Sequence, residues 1–349
     1  FGSSYFFSSG IQQMLSHMLR SIRHLRSSPT ARSSLRRLHV AAASSSSLSN
    51  FVIDSRCPLG VGAHSTVYWA QHRESGQTVV LKAMTPHVQC EATKDILTDC
   101  IAKESLVFDK LLGSGETHPQ VVDLVTQFER PGNEARDLGF LLSPQAVENP
   151  VHFFVAEFLG GGSLADRMKY RHSTGTRFEP QEVLDVAIAV SQGLAFLHAQ
   201  GIAHRDVKPE NLIYSNGTPR KLKLIDFSLA DVARADEMEG AFHGEVGTEG
   251  YVAPEVLMQG TAAQGYGPKC DIFSLGCVLH AMLAGKAPTV ELSGSGSAEV
   301  KSCIPEGVSA KTRRFLHSML AVNPEDRPEA TQILDICTSV SLSEKVRPV

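Results

Sequence analysis

The stretch SQGLAFLHAQGIAHRDVKPENLIYSNG, residues 191–217, confines the fold more tightly than any other part of the chain. A helix is expected to end near Gly201, and Pro209 forbids another through the segment that follows, because it lacks a backbone N–H and clashes with the preceding turn. His204, Arg205, Asp206, Lys208 and Asn211, all within eight residues, therefore converge on a loop. Asp206 can accept a hydroxyl proton, Lys208 can stabilise a phosphoryl oxygen, and Asn211 can coordinate a divalent metal. Fifteen residues beyond Asn211, the run KLKLIDFSLADVA (221–233) carries an alternating apolar strand into Asp226, a second hard oxygen ligand suited to Mg²⁺. The competing reading is a chance cluster of solvated charges.

Upstream, FVIDSRCPLGVGAHSTVYWAQHRESGQTVVLKAM (51–84) reads as two strands joined by a tight loop and followed by a third strand. Val67 and Trp69 alternate against Tyr68 and Ala70 with period two, and Glu74-Ser75-Gly76 is a turn. The loop carries Gly60 and Gly62, with Ser65 where a third glycine could stand; glycines let backbone N–H groups approach phosphate oxygens. Lys82 lies inside the apolar strand VVLKAM, and an ammonium in such a place needs an anionic partner. Phosphates are one candidate and a helix carboxylate another. ILTDCIAKESLVFDKLL (96–112) is helical by period, with Leu97, Ile101, Phe108 and Leu111 on one face. Glu104 falls on that face and is the expected partner; Glu91, which precedes the helical pattern, is the substitute.

Together these residues resemble the eukaryotic protein kinase family, serine/threonine-specific branch, across roughly residues 51–340. The family's parts stand here as Gly60-x-Gly62, Lys82, Glu104, HRDVKPEN, the DFS of residues 226–228, and Ala253-Pro254-Glu255. The resemblance implies an α+β, bilobal protein-kinase-like fold with a small β-rich N-lobe (about 51–156) and a larger helical C-lobe (about 160–340). It implies ATP and Mg²⁺ as cofactors and a protein Ser/Thr hydroxyl as acceptor. By the same resemblance Asp206 is the catalytic base, Lys82 holds phosphates while pairing with Glu104, and Asn211 and Asp226 are the metal ligands. Nucleotide contacts carried over in this way are Leu59, Gly60, Val61, Gly62, Ala63, His64, Ser65, Val67, Val80, Lys82, Ala156, Glu157, Leu159, Ile213 and Asp226. VHFFVAEFLGGGSLADRM (151–168) resembles the family's hinge, with Glu157 to Leu159 offering backbone groups to adenine and Ala156 guarding the back of the pocket. Lys208 and Thr248 match the serine/threonine branch. Asp271, in DIFSLGCVL, resembles the aspartate that braces the catalytic loop, and Arg327 the partner of Glu255; small-molecule phosphotransferases lack the segment from Gly247-Thr248 to Ala253-Pro254-Glu255 and its Arg327 partner. A nucleotide-holding pseudokinase is the alternative.

Two departures stand out. Ser228 replaces the glycine that the family places after Asp-Phe, which is expected to alter loop mobility without removing a metal ligand or proton acceptor. Between Ser228 and Thr248 there is no Ser, Thr or Tyr to phosphorylate. An acidic side chain, Glu245 first among Asp236, Glu237 and Glu239, is expected to pair with Arg205 in place of a phosphate; a solvated acidic face is the plain alternative.

Composition matters mainly at the ends. Of 349 residues, the first 50 contain no Asp or Glu but carry Arg20, Arg23, Arg26, Arg32, Arg36 and Arg37 among many serines. Leu15, Met18, Leu19, Ile22 and Leu25 recur at helical spacing, so the segment is expected to be a mitochondrial or plastid transit peptide, or else a basic tail without an address, in which case the protein is cytoplasmic. The chain starts at Phe1, which marks a fragment or a mis-started translation with Met14 as the sensible start. AAASSSSLSN (41–50) reads as a linker, so folded structure is expected from near Phe51; residues 130–150 read as a loop insertion and 341–349 as a short tail. A net charge of −4 gives no argument for nucleic acid, and no run of eighteen apolar residues calls for a transmembrane helix. The seven cysteines form no CxxC pair and are expected to be reduced thiols.

Overall fold

Strand-forming alternation in residues 51–157 produces one antiparallel sheet. The computed structural model describes residues 47–55, 57–61, 65–84, 91–137, 140, 149–233, 242–258, 265–293 and 297–344, the side chains of 91–96 and 341–344 excepted. Its contacts divide the chain into two units, Phe1–Glu116 with Asp123–Phe158, and Thr117–Val122 with Leu159–Val349. Residues 1–46, the expected transit peptide or basic tail with most of the linker, lie outside the described residues, as do Gly62, Ala63 and His64.

In the first unit β1 (Phe51–Ile53) and β2 (Gly60–Val61) both pair with β3 (Ser65–His72), so the expected first strand is in two pieces. β4 (Thr78–Met84) follows, then helix α1 (Glu91–Ser114), β5 (Leu124–Pro131), the short helix α2 (Gly132–Asp137) and β6 (Pro150–Glu157). The strand order is β1-β3-β4-β6-β5. Period two gives the sheet two different faces. Tyr68, Ala70, Val79, Leu81, Phe153 and Val155 build the apolar core on one. Val67, Lys82 and Phe154 align across β3, β4 and β6 on the other, beside Trp69, Val80 and Ala156. α1 covers this second face through Phe108, whose ring lies 4.9 Å from that of Phe154. The helix starts earlier than its apolar periodicity suggests, and Glu91 is its first residue.

Two expectations about loops need correction. Residues 130–150 are not a plain loop: they contain α2, and Phe140 is buried edge-on against Tyr68 at 4.8 Å and Phe153 at 5.1 Å. The linker ends sooner than Phe51, because Leu48–Asn50 form a 3-10 turn capped by Ser47 and Leu48 is buried in the core of the sheet.

The second unit is mainly helical. α3 (Leu164–Ser173) opens with a Ser163–Asp166 capping box, and α4 (Pro180–Ala199) follows with proline in its first turn. α4 is long and apolar enough to cross a membrane by length and composition. Its Val183, Leu184, Val190, Leu194 and Leu197 are buried in the protein. Gly193 allows close approach there, since a Cβ would sit 2.8 Å from Leu224 Cδ1. Next come β7 (Ile202–Ala203), the hairpin of β8 (Leu212–Tyr214) and β9 (Leu222–Leu224), β10 (Asp231–Val232) antiparallel to β7, and α5 (Pro254–Leu257). α6 (Lys269–Ala284) is buried from Cys270 through Met282. A hairpin, β11 (Thr289–Leu292) with β12 (Ala298–Lys301), precedes α7 (Ala310–Met319) and α8 (Ile333–Glu344), so helix continues past residue 340. Among the described residues Cys57, Cys270, Cys277, Cys303 and Cys337 are thiols outside any disulfide.

Candidate active site

In the first unit, Lys82 Nζ lies 2.9 Å from both carboxylate oxygens of Glu104. Glu104 is 2% exposed on the same face of α1 as Leu97, Ile101, Phe108 and Leu111, which follows from their helical spacing. A carboxylate this deep is stable only with a cation beside it, and Lys82, central in the sheet, supplies one. Val67 opposes Lys82 and Val80 opposes Ala156, so these four carried-over residues form one surface. Gly60 pairs with Val67, Val61 stands exposed, Ser65 begins β3 and Leu59 donates its N–H to Val67 O at 2.7 Å. Glu157 is fixed twice to Asp123: its N–H donates to Asp123 O at 2.9 Å and its Oε1 accepts from Asp123 N at 2.8 Å. Phe153 belongs to the opposite face, which leaves the small Ala156 flanked on its own face by Phe154, itself held by Phe108.

In the second unit, the loop of residues 204–211 is anchored by α6. Asp271, fully buried on α6, accepts the N–H of His204 at 2.9 Å, the N–H of Arg205 at 2.7 Å and the Nε2–H of His198 at 2.9 Å. Burial alone would raise its pKa, yet the His198 bond and the neighbouring histidine charge outweigh it and hold the carboxyl below its ordinary value. His204 accepts the Asp206 N–H on Nδ1 at 3.3 Å and donates from Nε2 to Ile225 O at 3.0 Å. Its ring packs on that of the buried Phe227 at 5.6 Å. Among the described non-glycine residues only Arg205 (φ 61) and Asp226 (φ 65) adopt the left-handed backbone region, as residues held in place at functional sites often do.

These constraints converge on the Asp206 carboxylate. Thr248 Oγ1 donates to Oδ1 at 2.6 Å, Lys208 Nζ lies 2.7 Å from Oδ2, and Asn211 Nδ2 donates to Oδ2 at 2.9 Å. Lys208 also donates to Thr248 Oγ1 at 2.7 Å. Asn211 spends its amide nitrogen on Asp206, so its oxygen end is the one able to meet a cation. Asp226 accepts the Ser228 N–H on Oδ1 at 3.2 Å, and Ile213 sits on β8 two residues past Asn211, bridged to Ser163. Among the described residues no group of three His, Cys, Asp or Glu side chains is arranged to hold a metal ion. The donor set nevertheless fits Mg²⁺, which commonly takes one or two protein oxygens and completes its shell with phosphate and water. Away from this centre, Arg327 grips Glu255 with two bonds of 2.6 and 2.7 Å and lies over Phe273.

One expected pairing is different. Arg205 meets Asp231, with Nη2 3.1 Å from Oδ2, whereas Glu245 is exposed; Asp236, Glu237 and Glu239 lie outside the described residues. β10 delivers Asp231 to this place by pairing it opposite Ala203. Sequence reasoning also missed His198 as the third ligand of Asp271.

Residues 54–336 match the protein kinase domain family. The chain is 30% identical over 254 residues to a calcium/calmodulin-dependent serine/threonine-protein kinase of Malus domestica, covering 70% of this chain and 54% of that protein. It is 32% identical over 195 residues to ribosomal protein S6 kinase alpha-2 of Mus musculus, covering 52% and 25%. It is 28% identical over 285 residues to the serine/threonine-protein kinase STE20 of Saccharomyces cerevisiae, covering 79% and 26%. The chain thus spans about half the length of the first of these relatives and about a quarter of the other two.

Proposed function

The chain belongs to the protein kinase domain family, and from that premise we propose that it transfers the γ-phosphoryl group of ATP to serine or threonine hydroxyls of proteins. The observation that carries this reading is the Asp206 carboxylate, held on both oxygens by Thr248, Lys208 and Asn211. A carboxylate fixed this way can orient an acceptor hydroxyl and take its proton as the oxygen bonds to the γ-phosphorus and the bond to the β–γ bridging oxygen breaks, releasing ADP. Lys208, at 2.7 Å from Asp206, is placed to offset negative charge on the group in transfer. In the first unit Lys82, already steadied by Glu104, offers its ammonium to nucleotide phosphates, and the surface of Val67, Val80 and Ala156 suits the flat, apolar faces of adenine. Asn211 and Asp226 would hold Mg²⁺, which when bound neutralises charge on phosphate oxygens.

The test is transfer from radiolabelled ATP–Mg²⁺ to a generic protein acceptor by the full chain, beside Asp206→Asn. The expected result is label on serine and threonine in the parent and a loss of at least about a hundredfold in the variant, the usual scale for a positioned base. Equal labelling by both, or label confined to tyrosine, would overturn the proposal.

A further inference from the structure

Between Ser228 and Thr248 there is no Ser, Thr or Tyr to phosphorylate, and the Arg205 guanidinium is satisfied from within the chain. Its Nε donates to Leu229 O at 2.7 Å, and Nη1 donates to His243 O at 3.0 Å and to the Tyr266 hydroxyl at 3.2 Å. Its Nη2 pairs with Asp231 Oδ2 at 3.1 Å, the arginine side chain being 2% exposed and the aspartate 19%. The other oxygen of Asp231 accepts the Val232 N–H at 2.9 Å, so the carboxylate is oriented as well as charged. Tyr266 passes the contact on: its hydroxyl donates to Gly244 O at 3.0 Å, and its backbone exchanges bonds of 2.8 and 2.9 Å with Phe242. Burial pushes that hydroxyl up to about 12, so it remains a donor at neutral pH.

Arg205 therefore ties residues 229–231 and 242–244 to the catalytic loop, one residue before Asp206. The tied segment runs on to Gly247, where φ is 128 and a Cβ would lie 3.2 Å from Arg205 O, and to Thr248, which holds Asp206 Oδ1. A guanidinium this deep with only neutral partners is costly, and among the described residues Asp231 is the carboxylate that offsets it.

We propose that Asp231 is a positioning residue for phosphoryl transfer: by orienting Arg205 it keeps residues 242–248, and through Thr248 the Asp206 carboxylate, in working order with no phosphate added to that segment. The inference rests on the phosphoryl-transfer reading above. Its consequence is an enzyme whose transfer rate does not depend on phosphorylation of the chain.

The experiment compares the phosphatase-treated parent, Asp231→Asn and Asp231→Glu, each as the full chain. The asparagine keeps an acceptor for Val232 N–H, so the strand pairing survives. Expected are a parental kcat unchanged by phosphatase, a kcat lowered about tenfold in Asp231→Asn with the KM for ATP unchanged, and substantial recovery in Asp231→Glu. Hydrogen exchange is expected to speed up at the Phe242 and Tyr266 amides in Asp231→Asn. A transferring parent matched by Asp231→Asn overturns the inference, as does transfer that falls on dephosphorylation. A parent that transfers nothing sinks the phosphoryl-transfer reading instead, and unchanged exchange at Phe242 and Tyr266 would then overturn the role of Asp231 separately.

Discussion

Ser228 decides whether Asp226 ends a working site or a relic. A glycine is needed only where the backbone enters the left-handed region or another chain segment crowds the Cβ position. Here the left-handed residue is Asp226 itself, and Ser228 keeps an ordinary backbone while its N–H steadies the Asp226 carboxylate. The serine thus imposes no strain in this state. Ser228→Gly is expected to leave transfer within about twofold of the parent and to lower stability by about 0.5–1 kcal/mol through the extra freedom of the unfolded chain. Parallel melts and initial rates check both numbers, and transfer that appears only in the glycine variant would mean that serine silences the site. The groups with a local signature, His204 through Asn211 and Asp226, are legible because a proline-bearing loop and a strand end expose polar side chains whatever surrounds them. Asp231 and His198 are not. Each meets its partner through strand pairing or helix packing set by distant sequence, and nothing in local spacing marks that meeting.

At the scale of elements, the periodic segments are the readable ones. Helical spacing alone puts Glu104 on the face of α1 that carries Leu97, Ile101, Phe108 and Leu111, and the alternation in β3 and β4 sorts Lys82 from the core. The hairpin of β11 and β12 carries a signal of the same kind that the sequence reading passed over: TVEL and AEVK flank a Ser-Gly-rich turn, and Val290 and Val300 pack beneath it while Glu291 and Glu299 face out. Residues 48–50 and 140 escape for a different reason. A lone Leu48 or Phe140 among serines or loop residues has no period, so only the cavity it fills reveals its role. That role is energetic. Leu48 is 4% exposed in the same cluster as Phe51 and Tyr68. Leu48→Ala is expected to cost about 2–4 kcal/mol, the range for truncating a buried leucine. Denaturant melts of the full chain measure it, and a loss under about 0.5 kcal/mol would show that Leu48 is dispensable to the core.

Across the whole molecule, the two-unit α+β organisation follows from a strand-rich first part and a helix-rich second part. What sequence does not show is how the two units share one dependence on pH. His152 lies in the first unit, and His118 and His280 in the second. Burial holds all three below the ordinary histidine value of 6.5. The lysines Lys223 and Lys221 add to the effect at His118, Glu129 opposes it at His152, and at His280 the bond to Lys286 O opposes it while Lys286 and His317 add charge. His280 has the clearest structural stake, because its Nδ1 bonds Lys286 O at 2.8 Å and its Nε2 accepts the Cys303 N–H at 3.1 Å, bracketing the β11–β12 hairpin. A protonated ring cannot accept that N–H. Unfolded chains take up protons near 6.5 and the folded one resists, so the unfolded state binds more protons below that value and stability falls as pH drops through it. Asp271 adds a second step with its own window. Its depressed pKa contributes stability above the ordinary carboxyl value of 3.8, and that contribution is lost as pH falls beneath it. Urea midpoints of the full chain are therefore expected to be level above about pH 7, to decline from 6.5 toward 5, and to drop again under 3.8, with His280→Gln flattening the first decline. Midpoints that stay level from pH 7 to 5 would show that these histidines titrate alike in the folded and unfolded chain, and that burial does not set their charge.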